Sequence, residues 1–252
     1  MKRHLPNAVT CLNLLFGCLA LTEIFAGRLE NGAWFVAAAA LADFADGLLA
    51  RALRVSSAIG KDLDSLADMV SFGVVPGAIL FQLLLRAADP LRDIYIAGQS
   101  LAAAVPVPHS QQFPYSPLPY VAFLVTIFSA LRLAKFNNDT RQTTSFIGLP
   151  TPACTLVVAS LPLILSHDRF GLRDVVLNPV VLVGFTLLLS GLLVAELPLF
   201  ALKFKSLRWA DNRRRFIFLL LAAGLLLGLQ AAAVPLVVLL YVLLSVPKTA
   251  AR

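Results

Sequence analysis

Residues 43–68 read DFADGLLARALRVSSAIGKDLDSLAD. Apolar residues continue on both sides, as AWFVAAAALA upstream (33–42) and MVSFGVVPGAILFQLLL downstream (69–85). Together with the aspartate segments these runs make stretches of about 32–53 and 62–86, each long enough to cross a bilayer as a helix, and the polar break at about 54–61 predicts a short loop joining them as an antiparallel hairpin. Asp43 and Asp46 are spaced i, i+3, and Asp64 and Asp68 i, i+4, so each pair occupies one helix face. The hairpin brings both pairs to the same depth, facing each other when those faces turn inward.

Carboxylates inside membrane helices are costly and mark a functional site by default. Four of them repel unless some are protonated or cations are bound. Arg51 is one candidate counter-charge and does not suffice. Hard oxygen donors with no thiolate or imidazole nearby suit Mg²⁺ or Mn²⁺ rather than zinc or copper. Asp62 lies about 200° around the helix from Asp64 and reads as a charge near the helix N-terminus, stabilised by the dipole.

The rest of the chain fits a membrane reading. Of 252 residues, 59% are hydrophobic and 14% charged, with a mean hydropathy of +0.83. A soluble globule cannot hide that much apolar surface, and disorder, collagen, a coiled coil and a disulfide scaffold are excluded with it. The fold class expected is an all-α integral membrane protein of about eight spans, near 7–27, 32–53, 62–86, 117–136, 149–166, 177–199, 215–231 and 233–247. The last two form a tight hairpin. The connection 87–116 is Pro-rich and reads as an irregular loop. The basic-then-apolar start, MKRHLPNAVT, lacks a small-residue cleavage site and reads as an uncleaved first span. Cys11, Cys18 and Cys154 have no metal-ligand spacing and read as small buried residues.

The net charge of +7 is explained by topology rather than by nucleic acid. With the N-terminus in the cytoplasm, 16 of the 21 basic residues fall on that side. Arg28, Arg86, Arg92, Arg169 and Arg173 fall on the other. That bias fixes an even number of spans with both termini inside. The run KFKSLRWADNRRR (203–215) is then a cytoplasmic loop attracted to anionic lipid.

The spacing D-x-x-D-G-x-x-A-R, eight residues, then G-x-x-x-D-x-x-x-D resembles the signature of the CDP-alcohol phosphatidyltransferase family, with no departure at a defined position. The likeness covers about residues 5–200. PNAVTCLN (6–13), DSLADMVSFGVVPG (64–77), RLAKFN (132–137) and FIGLPTPA (146–153) are similar to the serine-transferring branch of that family. The mechanistically unrelated phospholipase-D-like route needs paired H-x-K motifs, and none of His4, His109 and His167 has a lysine two residues on.

The resemblance implies the family's fold as a six-helix core in 1–200, followed by a basic loop and two additional C-terminal helices in 201–252. It implies transfer of a phosphatidyl group from CDP-diacylglycerol to L-serine, giving phosphatidylserine and CMP, with two divalent ions, Mg²⁺ or Mn²⁺. Asp43, Asp46, Asp64 and Asp68 would be the metal ligands, and Asp68 would also take the serine hydroxyl proton. It further implies a homodimer in a bacterial inner membrane, with the active site cytoplasmic.

For the nucleotide, the expected residues are Asn7, Thr10, Gly47, Ala50, Arg51 and Gly60. Glycine inside a helix costs about 1 kcal/mol relative to alanine, which makes sense at Gly47 if CDP lies against bare backbone; close helix packing is the alternative. Arg51, one turn on, suits a phosphate or serves as a positive-inside charge. Asn7, Thr10 and Asn13 fall at i, i+3 and i+6, a polar stripe on the first helix; taken alone, Asn7 after Pro6 suits an N-cap. Arg132, Lys135 and Asn137 end the fourth span, either as snorkelling groups or as binders of the serine carboxylate or a lipid phosphate. Ser71 lies beyond Asp68, and Pro76 is expected to kink that helix and widen the serine pocket. Two rivals are weighed. One is another acceptor alcohol, glycerol 3-phosphate or inositol phosphate, which would demand extra Arg or Lys in the pocket. The other is a cation transporter, which would need an acidic relay across the membrane that Glu23 and Glu196 do not complete.

Overall fold

The buried face of the first helix, α1 (Leu5–Phe25), is Pro6, Thr10, Asn13, Gly17, Ala20 and Ile24. These are mostly small residues three or four apart. The facing stripe on α2 (Leu29–Leu53) is Gly32, Ala33, Val36, Ala39, Ala42 and Asp46. Small residues let two membrane helices approach closely; a Cβ at Gly32 would come within 2.7 Å of Ile24 Cγ1. The computed structural model describes residues 5–55, 57–88, 117–138, 145–200 and 209–245. Of the expected irregular loop 87–116, residues 87–88 belong to helix and 89–116, with Arg92 and His109, lie outside the described residues, as do the N-terminal start 1–4 and the first half of the basic run at 203–208.

α2 ends at Arg54, and α3 (Ala58–Met69) starts on Ser57, whose hydroxyl accepts from the Gly60 N–H at 3.0 Å. After α3 the chain widens into a π-turn, Val70–Val74, and continues as α4 (Val75–Ala88). α4 is the central helix: Val75, Ala78, Ile79, Leu80, Leu83 and Leu84 are at most 1% exposed, so protein rather than lipid surrounds them. A 3₁₀ turn, Leu118–Ala122, leads into α5 (Phe123–Asn138). Around α4 stand α6 (Thr151–His167), the short α7 (Arg173–Val176) and α8 (Pro179–Val194).

The expectation of an all-α membrane protein holds, with one small addition. β1 (Ser145–Ile147) pairs antiparallel with β2 (Pro198–Phe200), Phe146 opposite Leu199. The sixth span, expected to reach 199, stops at Val194: Pro198 has no N–H for the Val194 carbonyl four residues earlier, and its ring would clash with it. Gly148, at φ +76°, turns the chain out of β1, where a Cβ would meet Leu193 O at 2.7 Å.

Five helical stretches are long and apolar enough to cross a membrane, while α6 and α8 are shorter. One of the five, Asn212–Ser245, is not a single rod. α9 (Trp209–Leu229) ends in a 3₁₀ turn, Gln230–Ala232, with Gln230 at φ +51°, before α10 (Ala233–Ser245). The rings of Phe218 and Tyr241 then meet at 5.6 Å, so the two helices fold back on each other as the expected hairpin.

Candidate active site

Three aspartates converge. Asp43 from α2 and Asp64 and Asp68 from α3 place carboxylate oxygens within 4.8 Å of one another. The i, i+4 spacing turns Asp64 and Asp68 to one side of α3, and the tight α2–α3 turn brings that side against α2. Asp46, one turn beyond Asp43, is buried and turned toward α1, where Thr10 Oγ1 donates to its Oδ2 at 2.6 Å. It stays within electrostatic reach of Asp64 and Asp68. Asp62 is exposed on the opposite face of α3, as expected. Among the described residues no cationic side chain lies within 4.0 Å of any of these four carboxylates. The donor set is all carboxylate oxygen, without thiolate or imidazole, and suits hard divalent cations.

Asn13, in the sequence only part of a polar stripe, has a more direct place in the structure. Its Nδ2 donates to Asp68 Oδ1 at 3.2 Å, while its Oδ1 is buried with no hydrogen-bond partner. The signal is the i, i+3, i+6 spacing itself, which turns Asn7, Thr10 and Asn13 toward the acids together. Asn7 lies inside α1 rather than capping it.

Beside the aspartates an open pocket of about 250 Å³ is lined by Asn7, Thr10, Asp46, Gly47, Ala50, Gly60 and Asp64. Of the six expected nucleotide residues, five therefore meet at one surface. Arg51, the sixth, is exposed and outside this lining; its guanidinium folds back toward Gly47, 3.5 Å from where a Cβ there would stand. Gly60 admits Asn7, whose Oδ1 would be 3.0 Å from an added Cβ. Lys61, not anticipated, lines the same pocket, and its Nζ donates to the Asn137 carbonyl at 3.3 Å.

The residues expected for the acceptor divide. Arg132 is 7% exposed, its Nη1 donates to Thr151 Oγ1 at 3.4 Å, and its Nε is buried without a partner. It lies within coulombic reach of Asp68. Lys135 is exposed on another face of α5. The Asn137 amide donates to Ser65 Oγ at 2.9 Å and ties α5 to α3. Ser71 is fully buried and donates to the Asn13 carbonyl at 3.0 Å; a Cβ at Gly17 would collide with its hydroxyl.

The predicted kink at Pro76 takes the form of the π-turn. Proline has no N–H, so the Phe72 carbonyl four residues earlier loses its helical donor. Thr155 Oγ1 supplies one instead at 3.0 Å, with Ser129 Oγ at 3.5 Å, and Thr126 Oγ1 donates to Gly73 O at 2.9 Å. Hydroxyls from α5 and α6 thus hold the wide turn that follows Asp68. π-turns of this kind recur at functional sites.

The family described as CDP-alcohol phosphatidyltransferase matches residues 3–195. A CDP-diacylglycerol–serine O-phosphatidyltransferase of Helicobacter pylori (strain J99) is 28% identical over 224 residues, 87% of this chain and 80% of that protein. The one of Bacillus subtilis (strain 168) is 27% identical over 186 residues, 70% of this chain and 88% of its own. An archaetidylserine synthase of Methanothermobacter thermautotrophicus is 29% identical over 158 residues, 62% of this chain and 56% of that one. The matched region holds the aspartate cluster, the pocket and the polar contacts between them, and on that ground this integral-membrane phosphatidyltransferase belongs to the CDP-alcohol phosphatidyltransferase family.

Proposed function

We propose that the protein transfers the phosphatidyl group of CDP-diacylglycerol to the hydroxyl of L-serine, releasing CMP. The observation that carries this reading is the meeting of Asp43, Asp64 and Asp68 beside the pocket, with the buried guanidinium of Arg132 within reach of Asp68. Asp43, Asp46, Asp64 and Asp68 would hold two divalent ions, Mg²⁺ or Mn²⁺, which supply neutralisation of the diphosphate and of the departing CMP. The orphaned Asn13 Oδ1 beside Asp68 fits a site completed by a ligand.

The chain's own groups do the rest. Gly47 and Ala50 leave room for the nucleotide against α2, with Asn7, Thr10 and Gly60 opposite and Arg51 at the edge. Arg132 pairs with the serine carboxylate, its fork suited to a planar anion. That places the serine hydroxyl near Asp68. The oxygen–phosphorus bond to serine forms as the bond to CMP breaks, and the hydroxyl proton passes to the Asp68 carboxylate. Asn13 holds that carboxylate in place. Ser71 and Asn137 support the same region from behind and from the edge, while Lys135 stands outside it and is left for a lipid phosphate. Glycerol 3-phosphate and inositol phosphate bring a dianionic phosphate, for which a lone buried guanidinium is a poor match.

The test uses purified protein in nanodiscs with CDP-diacylglycerol and labelled serine. Expected is CMP release and labelled phosphatidylserine that stop on EDTA treatment and return with Mg²⁺ or Mn²⁺. Undiminished turnover after exhaustive chelation overturns the metal reading, and faster turnover with glycerol 3-phosphate or inositol phosphate overturns serine as acceptor. We further infer that the aspartate end faces the cytoplasm of a bacterial inner membrane, that residues 1–200 carry the chemistry with 201–252 as an accessory hairpin, and that two copies associate. Cysteine labelling of the 54–59 turn with an impermeant reagent in intact cells checks the first: reaction there inverts the topology.

A further inference from the structure

At the end of the bundle opposite the aspartates, three of the five basic residues assigned to the non-cytoplasmic side gather around one cavity. It measures about 400 Å³ and is lined by Arg28, Arg86 and Arg173 together with Glu30, Asn31 and Ser166. Arg28 and Asp46 are 18 residues apart on one helical run, which puts this cavity about 27 Å from the acids.

Two of the three guanidinium groups have structural partners. Arg28 pairs with Glu23, Nε to Oε2 at 2.6 Å and Nη2 to Oε1 at 2.8 Å, and Asn31 joins the same carboxylate at 2.9 Å. Arg86 Nη2 donates to the Gly27 carbonyl at 2.9 Å, which pins the α4 end beneath the α1–α2 turn. Arg173 is different. Its backbone N–H is bonded to Asp168 Oδ1, while its guanidinium has no hydrogen bond or ion pair with any described residue. Glu30 likewise has no cation within 4.0 Å among the described residues. A structural clasp accounts for Arg28 and Arg86 and leaves Arg173 and Glu30 facing one cavity unused.

We propose that this cavity binds the headgroup of a phospholipid in the non-cytoplasmic leaflet, with its phosphate on Arg173 and its amine, where present, on Glu30. Guanidinium groups suit phosphate by charge and by their fork of donors. One carboxylate beside them matches a zwitterionic headgroup with a primary amine better than a purely anionic one. A neighbouring cavity lined by Phe170, Leu172, Val175 and Val176 is apolar and offers a surface for the acyl chains of the same lipid. This inference does not rest on the serine reading, because it concerns the opposite end of the molecule; its choice of leaflet rests on the orientation inferred above.

The test counts lipids retained by the full-length protein, by native mass spectrometry from phosphatidylcholine nanodiscs doped with phosphatidylethanolamine or with phosphatidylglycerol. Phosphatidylethanolamine is expected to be enriched over phosphatidylcholine. Arg173→Gln is expected to lower that retention about tenfold, the loss of one charge-assisted contact, and Glu30→Gln to abolish the preference for the primary amine. Inorganic phosphate in the millimolar range distinguishes the sources: failure to displace the lipid supports a headgroup site, whereas binding of phosphate alone, lost in Arg173→Gln, supports an anion site filled from solution. Arg86→Gln removes the α4 clasp and can unfold the protein, so the deciding variant is Arg173→Gln, at an exposed position whose guanidinium bonds to no described residue. Retention of each lipid by Arg173→Gln equal to that of the unaltered protein overturns the proposal.

Discussion

The C-termini of α1 and α2 close with the same backbone pattern and different residues. At the outer turn, Gly27 N–H donates to Ile24 O and Arg28 N–H to Glu23 O. At the inner turn, Arg54 N–H donates to Arg51 O and Val55 N–H to Ala50 O. Both are left-handed helix ends with paired bonds back to the last turn. The outer turn uses Gly27, at φ +79°, and the inner turn Arg54, at φ +51°. Charge divides the same way. At the outer turn Glu23, Arg28 and Asn31 satisfy one another, while at the inner end four carboxylates share a site with no cation within 4.0 Å among the described residues. Buried charge that the protein does not neutralise is destabilising by itself and marks a place that a ligand completes. At the α1–α2 turn the charges close on one another, whereas at the aspartate end they are left for a ligand.

Removing the unneutralised charges is the harshest way to break that contrast. Asp43→Ala, Asp64→Ala and Asp68→Ala should each lower turnover by on the order of 10³-fold, measured as CMP release. Asp62→Ala, on the exposed face, should stay within about twofold of the unaltered protein. If the Asp62 variant fell as far as the others, the division of α3 into a functional and a solvated face would be wrong.

Arg132 sharpens the contrast from the cation side. It is buried near the acids, over the Phe136 ring at 5.7 Å and hydrogen-bonded, among the described residues, only to Thr151 at 3.4 Å, and its Nε is left without a partner, as suits a group that takes a substrate carboxylate. Arg132→Lys keeps the charge and loses the fork. KM for serine should rise by about 10- to 100-fold, with a much smaller fall in kcat and little change in KM for CDP-diacylglycerol. An equal fall in kcat with unchanged KM would move Arg132 from binding to architecture.

Asn13 and Thr155 test how the acids are held. Asn13→Leu deletes the donor to Asp68 and should lower kcat by about 10-fold. Thr155→Val removes the hydroxyl that replaces the missing proline N–H at Phe72 O, and should cost about 1–2 kcal/mol of stability, read as earlier thermal inactivation. A return of stability in Thr155→Val combined with Pro76→Ala, which restores the backbone donor, would identify the lost hydrogen bond as the cause.

The membrane class, the helix hairpin and the four aspartates were legible in the sequence because each rests on local spacing: apolar runs of bilayer length, and acids three or four residues apart. The lining of the pocket beside them was legible for the same reason, since Asn7 and Thr10 are three apart on α1 and Gly47 and Ala50 three apart on α2. What was not legible depends on contacts between distant segments. Asn13 becomes a partner of Asp68 only when α1 packs on α3, 55 residues away. Arg132 and Lys135 are alike in sequence, and only the packing of α5 among its neighbouring helices buries one and leaves the other exposed. Pro76 announced a helix distortion, but its form depended on hydroxyls from two other helices. The β1–β2 ribbon joins segments some fifty residues apart and was hidden by their shortness.

The smallest expected effect bears on the two turns themselves. A residue with a Cβ in the left-handed region carries a penalty of about 1–2 kcal/mol that glycine avoids. Arg54 carries it at the turn whose next residues, Val55 and Ser57, line the pocket; Gly27 avoids it at the opposite turn. Arg54→Gly should therefore raise stability by roughly 0.5–1 kcal/mol, part of the relief being offset by the greater freedom of glycine in the unfolded chain. Gly27→Ala should lower it by about the same amount. The informative reading is activity at constant temperature. If the strained turn only closes α2, Arg54→Gly gains thermal lifetime with unchanged kcat. If Arg54 also fixes the approach of Val55 and Ser57 to the nucleotide, the same variant gains lifetime while KM for CDP-diacylglycerol rises a few-fold, and the inner turn would then exchange stability for a formed pocket. A loss of stability in Arg54→Gly would show that the side chain makes compensating contacts and would remove the contrast between the two turns.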